Sequence, residues 1–296
     1  MKLSIVMPAY NEAATIRHAV DHVLSVDYPV PVELIVVDDG SRDDTAALLH
    51  GVRDSRLTVQ RHPRNRGKGA ALVTGLALAE GTHFLPFDAD LEYSAFDIPA
   101  LLSPILDGRA EVVYGSRILG LNTVFQSMRY RVGNRATTLL ANVLYDSSLA
   151  DMHTCLKLVP MELMRRMSLS ESGFGLDTEV TAKLLRMGYR PFEVPVAYHS
   201  RSHAHGKKIT WSDGVECVKV LARVRVSPTP LDHPQPRRTL AAGEVGVRPF
   251  VVDLRAADAP EVEAVSRRRG REVVSINERA MQHNGAERSL AVGKDA

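Results

Sequence analysis

The sequence predicts an α/β protein built on a doubly wound, mostly parallel sheet. Short apolar runs alternate with helix-length amphipathic segments from Leu3 to about Val226, which is the pattern of repeated βαβ units. Two of these apolar runs end in acidic clusters, and ligands bind at such carboxyl ends of parallel strands. We therefore expect a Rossmann-like first half with a ligand site at the carboxyl edge of its sheet.

The first half contains five strand candidates and four helix candidates. The strands are expected at Leu3–Met7, Val32–Val37, Arg56–Arg61, Thr82–Phe87 and Glu111–Tyr114. The intervening helices, several with a capping Ser, Asp or Asn near the start, are expected at Glu12–Ser25, Asp43–Arg53, Lys68–Glu80 and Phe96–Leu106. Because proline cannot donate to a sheet ladder, Pro86 predicts a local irregularity in the fourth strand.

The second half is less regular. Helical patterns lie at Val132–Leu144, Pro160–Met167 and Thr178–Met187, and an extended segment is expected at Arg190–Tyr198. A last helix over Trp211–Val226 has one apolar stripe, which is compatible with a packed terminal helix, an interfacial membrane helix, or both. Four prolines between Ser227 and Pro236 predict that a domain of residues 1–226 is followed by a linker and poorly structured tail of residues 227–296.

Composition excludes several classes of protein. With 45% apolar and 24% charged residues the chain is ordinary for a globular protein, and a net charge of +2 excludes a chain-wide cationic surface for nucleic acid. Two cysteines are too few for a disulfide framework. No leader and no membrane-spanning run is evident, so we expect a cytoplasmic protein whose membrane contact is at most peripheral.

Two acidic clusters follow predicted strands. Asp38 and Asp39 precede Gly40, where a carboxylate can accept hydrogen bonds from a ribose or a base; a plain Asx turn is the alternative. Asp88, Asp90 and Glu92 alternate after the fourth strand. Such hard oxygen ligands suit Mg²⁺ or Mn²⁺ completed by substrate phosphates, and a solvated acidic loop is the alternative.

A third cluster opens the helix after the third strand. Asn65 to Gly69 places Lys68 at a helix N-terminus, where an anion is attracted by backbone N–H groups and by the helix dipole. His62 and Gly69 stand where a Walker loop needs Gly and Ser or Thr, and no Gly-x-Gly-x-x-Gly follows the first strand. A nicotinamide-dependent enzyme is therefore disfavoured.

Taken in this order and spacing, these elements resemble the family 2 glycosyltransferases of the GT-A fold, from Lys2 to about Arg225. Four further segments are similar to the dolichol-phosphate or polyprenyl-phosphate mannosyltransferase branch: Tyr114–Arg117, Tyr130–Arg131, Asp151–Lys157 and Tyr198–Lys208. The resemblance implies a GT-A domain with a nucleotide-binding half, an irregular acceptor half and an additional C-terminal tail.

The resemblance also implies roles for individual residues. The positions expected to hold the base and ribose of the nucleotide are Pro8, Tyr10, Glu12, Val37 and Asp38. Asp88 and Ala89 would border the nucleotide, and the metal would be held by Asp90 and Glu92, often with Asp88. In the branch Gln commonly stands where this chain has Glu92. The positions expected to gather donor and acceptor phosphate oxygens are Arg117, Arg131 and Arg201, with added charge from Lys207 and Lys208.

The implied reaction is an inverting transfer of a hexose from a nucleotide sugar to a polyprenyl or dolichyl phosphate at the inner membrane face. GDP-mannose is the first expected donor and a UDP-linked glucose the second. A hydroxyl acceptor is the alternative, and it would need a base such as Asp177 or Glu179. Nucleotidyl transfer and a non-catalytic nucleotide-sugar or membrane-binding module are the other classes considered. Nucleotidyl transfer is disfavoured because this chain has no glycine-rich loop after its first strand. A non-catalytic module is disfavoured because the acidic and arginine positions are retained.

Overall fold

The structure is a computed structural model that describes residues 1–120, 122–124, 128–173, 175–200 and 211–227. Its strands are β1 Leu3–Ala9, β2 Val32–Asp38, β3 Leu57–Arg61, β4 His83–Pro86, β5 Val113–Ser116, β6 Thr123–Val124, β7 Lys157–Pro160, β8 Phe192–Pro195 and β9 Tyr198–His199. Its helices are α1 Ile16–Ser25, α2 Thr45–His50, α3 Lys68–Leu78, α4 Ile98–Leu106, α5 Met128–Tyr145, α6 Met161–Arg166, α7 Gly175–Arg186 and α8 Trp211–Val226.

Seven strands form one sheet in the order β3-β2-β1-β4-β7-β5-β8. All neighbours are parallel except β7, which runs antiparallel to both β4 and β5. A separate two-stranded sheet joins β6 and β9 in parallel. The predicted α/β class with a mostly parallel sheet is confirmed.

The strand β1 shows why the strands of the first half could be predicted from the sequence. Leu3, Ile5 and Met7 pack into one apolar layer, whereas Val6 packs into the other. Because both faces of the sheet are covered, a parallel strand reads as a continuous apolar run. The carboxyl ends of β1 and β2 align, with Ala9 beside Asp38.

Several boundaries differ from the sequence predictions. The segment after Glu12 first makes a turn, with the N–H groups of Thr15 and Ile16 both donating to the Glu12 carbonyl, so α1 begins at Ile16. Pro86 ends β4 without breaking it. The Phe87 N–H donates to Val6, so the missing Pro86 donor faces the β7 side, where pairing stops at Phe84.

The structure adds elements that the sequence did not predict. These are β7 and the β6–β9 pair. The helix α5 also begins at Met128, four residues before its predicted start.

The last described helix, α8, is packed against the domain. Val220, Leu221 and Val224 are buried, and the Tyr145 hydroxyl of α5 donates to the Leu221 carbonyl over 2.7 Å. The packed-helix interpretation is therefore confirmed. None of the helices in the described ranges has the length and hydrophobicity that a bilayer crossing requires. Apart from Ser227, the predicted tail of residues 227–296 lies outside the described residues.

Candidate active site

The site is built where β1, β2 and β4 end. After β1, Asn11 adopts a left-handed φ of 53°; its N–H donates to Ser41 Oγ over 2.9 Å, and its Oδ1 accepts from Arg42 N–H. The Glu12 N–H donates to Thr45 Oγ1. These bonds fasten the turn that carries Tyr10 and Glu12 to the turn that follows β2.

Asp38 presents a buried acceptor at the end of β2. Its side chain is fully buried, and Oδ1 accepts from the Ser41 N–H over 2.9 Å. Oδ2 forms an ion pair with Arg61 Nε at 3.0 Å but accepts no hydrogen bond, and the same guanidinium donates from Nη2 to the Ser41 carbonyl. A buried carboxylate oxygen that accepts no hydrogen bond from the protein has capacity for a ligand hydroxyl or N–H. The ribose or base role of Asp38 stays a prediction.

The neighbouring Asp39 has a different function, which sequence analysis missed. Its carboxylate accepts from the N–H groups of Arg66 and Gly67 over 2.8 to 3.1 Å and from His62 Nδ1 over 2.6 Å. Asp39 therefore holds the turn that leads into α3. The only signal in the sequence was its position beside Asp38, which does not separate a loop-holding carboxylate from a ligand-holding one.

Lys68 lies in a chain of alternating charges. Its Nζ contacts Asp88 Oδ1 at 2.8 Å and Asp177 Oδ2 at 3.7 Å, and Asp177 Oδ1 lies 3.5 Å from Lys157 Nζ. Burial acts to lower the pKa of Lys68, but Asp88, Cys155 and Asp177 outweigh it and hold that pKa well above its ordinary value. The predicted anion-binding lysine is thus neutralised in part by two carboxylates of the site.

Asp177 is held ionised by two lysines. Burial alone would raise its pKa, but Lys157 and Lys68 reverse that effect and lower the pKa below its ordinary value. Lys157 is itself only 2% exposed and donates to the Thr154 carbonyl over 2.5 Å, while burial lowers its pKa. Sequence analysis did not identify this buried lysine as a site residue.

The three carboxylates of the acidic turn after β4 lie in different surroundings. Asp90 Oδ1 accepts from the Glu92 N–H over 3.1 Å, and Leu91 between them has a left-handed φ of 61°. The Glu92 carboxylate is buried and accepts from the Tyr198 hydroxyl over 2.5 Å. Asp88 and Asp90 remain partly exposed at the edge, whereas Glu92 joins this turn to β9.

Arg117, one of the predicted phosphate-binding arginines, forms an ion pair with the buried Asp151 and keeps 11% of its side chain exposed. Its Nε and Nη2 contact the two oxygens of Asp151 at 2.6 and 2.7 Å, and its guanidinium lies 5.0 Å from the centre of the Tyr198 ring. Burial opposes ionisation of Asp151, but Arg117 and Asn134 outweigh it and hold the pKa of Asp151 at about 2. A phosphate role for Arg117 stays a prediction.

The other predicted cationic residues are placed differently. Arg131 lies on the first turns of α5 with its side chain exposed. Arg201, Lys207 and Lys208 lie outside the described residues. Among the predicted residues, the structure therefore brings Lys68 into contact with Asp88 and with the candidate base Asp177, while Asp38 lies at the end of β2.

Glu179, the second candidate base, is hydrogen-bonded to a neighbouring loop. Its oxygens accept from Ser170 N–H, Ser170 Oγ and Glu171 N–H, and from Lys183 Nζ over 2.7 Å. The loop that it holds packs on the start of α3, where a Cβ on Gly67 would lie 2.4 Å from the Ser172 carbonyl oxygen. Glu179 therefore shapes the site rather than facing it.

The oxygen donors at this edge fit a divalent cation only in part. Within the described ranges, no three Asp, Glu, His or Cys side chains converge as a complete metal site. Asp88 and Asp90 offer hard oxygens in a partly exposed position. Two carboxylates completed by substrate phosphates and water are the ligand set typical of Mg²⁺.

Comparison with known proteins gives related sequences. Agl6 of Haloferax volcanii, a low-salt glycan biosynthesis hexosyltransferase, is 27% identical over 67% of this chain and 48% of its own length. The UDP-N-acetylglucosamine–dolichyl-phosphate N-acetylglucosaminyltransferase of Methanococcus voltae is 30% identical over 38% of this chain and 51% of its own length. The chain thus spans about half the length of these two curated relatives.

Solved structures share the fold. Glucosyl-3-phosphoglycerate synthase from Mycobacterium tuberculosis, crystallised with Mn²⁺, uridine diphosphate and phosphoglyceric acid, superposes with a TM-score of 0.58. It is 24% identical, over 77% of this chain and 80% of that one. This likeness confirms the GT-A architecture of the domain.

The family assignment follows from the matched region itself. The sequence pattern of the family described as glycosyl transferase family 2 matches residues 4–167, which is more than half of the chain. The matched region contains the turns after β1, β2 and β4 and the helix start at Lys68. The chain therefore belongs to glycosyl transferase family 2.

Proposed function

We propose that this protein transfers a hexose from a nucleotide sugar to a polyprenyl phosphate, with inversion at the anomeric carbon. Support for the donor side comes from the buried Asp38 oxygen that accepts no hydrogen bond, and from Lys68 and Asp88 at the same sheet edge. The acceptor would reach the protein at the cytoplasmic face of a membrane, where the protein would make peripheral contact.

The donor nucleotide would occupy the edge formed by β1, β2 and β4. Pro8, Tyr10, Glu12 and Val37 border this edge, and Ala89 is buried beside Asp88. GDP-mannose is the first expected donor. The names of the relatives favour a test of UDP sugars as well, because one uses UDP-N-acetylglucosamine and a structural neighbour binds uridine diphosphate.

A divalent cation, Mg²⁺ or Mn²⁺, would be held by Asp88 and Asp90. Glu92, the third expected ligand, accepts from the Tyr198 hydroxyl and would have to turn away from it to join them. When bound, such an ion stabilises negative charge on a departing diphosphate. Lys68 contacts Asp88, so it can contribute positive charge next to the diphosphate of the donor. Arg117, Arg131 and Arg201 are the proposed partners of donor and acceptor phosphate oxygens, with Lys207 and Lys208.

One observation carries the choice of a phosphate acceptor. Asp177 is the candidate base for a hydroxyl acceptor, and it lies 3.5 Å from Lys157 and 3.7 Å from Lys68. Because these cations lower its pKa, Asp177 is a weak base for a hydroxyl group. A phosphate monoester is already largely anionic near pH 7, so its attack needs positioning and charge balance rather than deprotonation.

A hydroxyl acceptor is the second candidate. It is favoured by the architecture shared with glucosyl-3-phosphoglycerate synthase, whose crystallised partner phosphoglyceric acid carries a hydroxyl. In that case Asp177 would be the base, and Lys157 would have to shift or lose its proton to let Asp177 accept one.

The two acceptor classes are separated by one assay. The full chain is incubated with Mn²⁺ or Mg²⁺, with labelled GDP-mannose, UDP-glucose or UDP-N-acetylglucosamine, and with a short polyprenyl phosphate, and the lipid is then extracted. The proposal predicts label in the organic phase that is lost with EDTA. Metal-dependent nucleotide release that requires a hydroxyl compound, with no label in the lipid, would favour the second candidate.

A further inference from the structure

The acidic turn after β4 is bound to β9 through the side chain of one tyrosine. The Tyr198 hydroxyl donates to Glu92 Oε2 over 2.5 Å, and the His199 N–H donates to the Glu92 carbonyl over 2.9 Å. Glu92 is 9% exposed and Tyr198 is 4% exposed. Because a buried hydrogen bond to a charged acceptor is one of the stronger contacts in a protein, this bond fixes where the Glu92 carboxylate lies.

This position keeps Glu92 apart from the other two carboxylates of the turn. Asp88 contacts Lys68 at 2.8 Å, and Asp90 Oδ1 accepts from the backbone N–H of Glu92. In the part of the chain that the structure describes, no three side chains of Asp, Glu, His or Cys come together as a set of metal ligands. The Glu92 carboxylate therefore has to turn before it can share a cation with Asp88 and Asp90.

The Tyr198 ring is held by the fold and cannot follow that movement. Its centre lies 5.1 Å from the centre of the Tyr93 ring and 5.0 Å from the guanidinium of Arg117. The backbone N–H of Tyr198 donates to the Asn122 carbonyl over 3.0 Å. Since the hydroxyl stays in place when Glu92 turns, the hydrogen bond between the two side chains breaks.

We propose that Tyr198 is a positioning residue that sets the affinity for the divalent cation by holding Glu92 away from Asp88 and Asp90. Cation binding replaces the hydrogen bond from Tyr198 with a contact between Glu92 and the metal, so the hydroxyl stabilises only the cation-free protein. This inference rests on the cation of the proposed function. It adds to that function a residue that touches neither the substrate nor the metal.

The direction of the effect separates this role from a purely structural one. If the Tyr198 hydroxyl only supported the fold, its removal would leave the cation affinity unchanged or weaken it, because the acidic turn would be held less well. A hydroxyl that competes with the cation for Glu92 lowers the affinity, since a contact made only in the cation-free state opposes binding. Its removal then strengthens binding.

The test is titration of the full chain with Mn²⁺ alone, followed by the electron paramagnetic resonance signal of the unbound ion. Tyr198→Phe removes the hydroxyl and keeps the ring, and we expect it to bind Mn²⁺ about tenfold more tightly than the wild type. Tyr145→Phe is the matched control, because it removes another buried tyrosine hydroxyl, which donates to the Leu221 carbonyl between α5 and α8. Its Mn²⁺ affinity should equal that of the wild type.

A second comparison connects the effect to Glu92. In Glu92→Ala the carboxylate for which the hydroxyl and the cation compete is absent, so the addition of Tyr198→Phe should leave the Mn²⁺ affinity of that variant unchanged. Thermal unfolding shows whether each variant is folded. Tyr198→Phe by itself decides the question if Glu92→Ala does not fold.

The inference would be overturned if Tyr198→Phe bound Mn²⁺ no more tightly than the wild type. An equal gain in Tyr145→Phe, or in Tyr198→Phe made on Glu92→Ala, would also overturn it. Metal-dependent transfer to a polyprenyl phosphate, with no gain in the Mn²⁺ affinity of Tyr198→Phe, would remove this inference and leave the proposed function intact. A gain in Mn²⁺ affinity without transfer would do the reverse.

Discussion

Buried carboxylates in this protein serve two purposes that sequence alone does not separate. Asp39 and Glu179 are surrounded by backbone donors and hold loops, whereas Asp38 keeps an oxygen without a hydrogen bond. Asp90 lies between these cases, because one oxygen holds the acidic turn and the residue remains partly exposed. Backbone donors around a buried carboxylate thus indicate that it holds a loop, as in Asp39 and Glu179.

Asp90→Asn tests the role of that exposed carboxylate. The amide oxygen can still accept the Glu92 N–H, so we expect the thermal unfolding midpoint to be retained. The transfer rate should fall about a hundredfold or more, because a charge that holds the cation is lost. Asp107→Asn, at the opposite edge of the sheet before β5, is the control and should keep full activity. An Asp90→Asn protein as active as the wild type would refute this role.

Asp151→Asn tests the buried ion pair. Because the pKa of Asp151 is held at about 2 in the folded protein, below its ordinary 3.8, the ionised carboxylate stabilises the fold above about pH 4 and loses that effect as the pH falls toward 2. Leaving Arg117 buried without its partner should lower the free energy of unfolding by about 3 kcal/mol at pH 7.

Urea unfolding between pH 7 and pH 3 measures this effect. The difference between the wild type and Asp151→Asn should shrink below about pH 4, because Asp151 then takes up a proton in the unfolded chain but not yet in the folded protein. Asp21→Asn removes an exposed pair with Arg17, and it should cost less than about 1 kcal/mol. A difference that stays constant over the whole range would contradict the assignment of the low pKa to Asp151.

The helix α3 begins where Gly67 comes close to the backbone of another loop. Gly67 has a φ of 97° and lies against the loop that Glu179 holds, so three separate segments meet at one glycine. This contact places Lys68 on the first turn of α3, where it reaches Asp88.

Two glycine substitutions test this contact. Gly67→Ala should lower the free energy of unfolding by about 2 kcal/mol, since its Cβ would meet the Ser172 carbonyl and its φ is strained for alanine. Gly133→Ala on α5 meets nothing within 4 Å and should raise the free energy of unfolding by up to about 1 kcal/mol. Equal effects of the two substitutions in urea unfolding would show that the close approach does not matter.

Elements buried on both faces were predictable, and those defined by tertiary contacts were not. The apolar runs of β1 and β2 follow from burial. The strand β7 contains Lys157 and ends at Pro160, so its sequence gives no strand pattern. The two-residue strands β6 and β9 are defined by their pairing with each other and, for β9, by a bridge between Tyr198 and Tyr93.

The same distinction holds within the site. Asp38, Asp88 and Lys68 were predicted because each follows or begins a regular element. The pairing of Arg117 with Asp151, 34 residues apart, and the contact of Lys157 with Asp177 depend on how the second half folds back over the sheet. Periodicity carries no information about such distances.

At the scale of the whole molecule, the family assignment and the sheet edge point to the same chemistry. The chain belongs to glycosyl transferase family 2, and the edge of β1, β2 and β4 carries the buried oxygen of Asp38 and the contact of Lys68 with Asp88. A nucleotide sugar, with its hydroxyl groups and phosphates, is the ligand that such an edge would bind under the proposed function.

The proposed inverting transfer to a polyprenyl phosphate is tested most directly by the linkage and anomeric configuration of the product. Both are determined by ³¹P and ¹H NMR after reaction of the full chain with its donor and a polyprenyl phosphate. We expect a sugar joined through its anomeric carbon to the lipid phosphate as a phosphodiester, with configuration opposite to that of the donor. A product with retained configuration, or one in which the sugar is joined to a hydroxyl group, would contradict it.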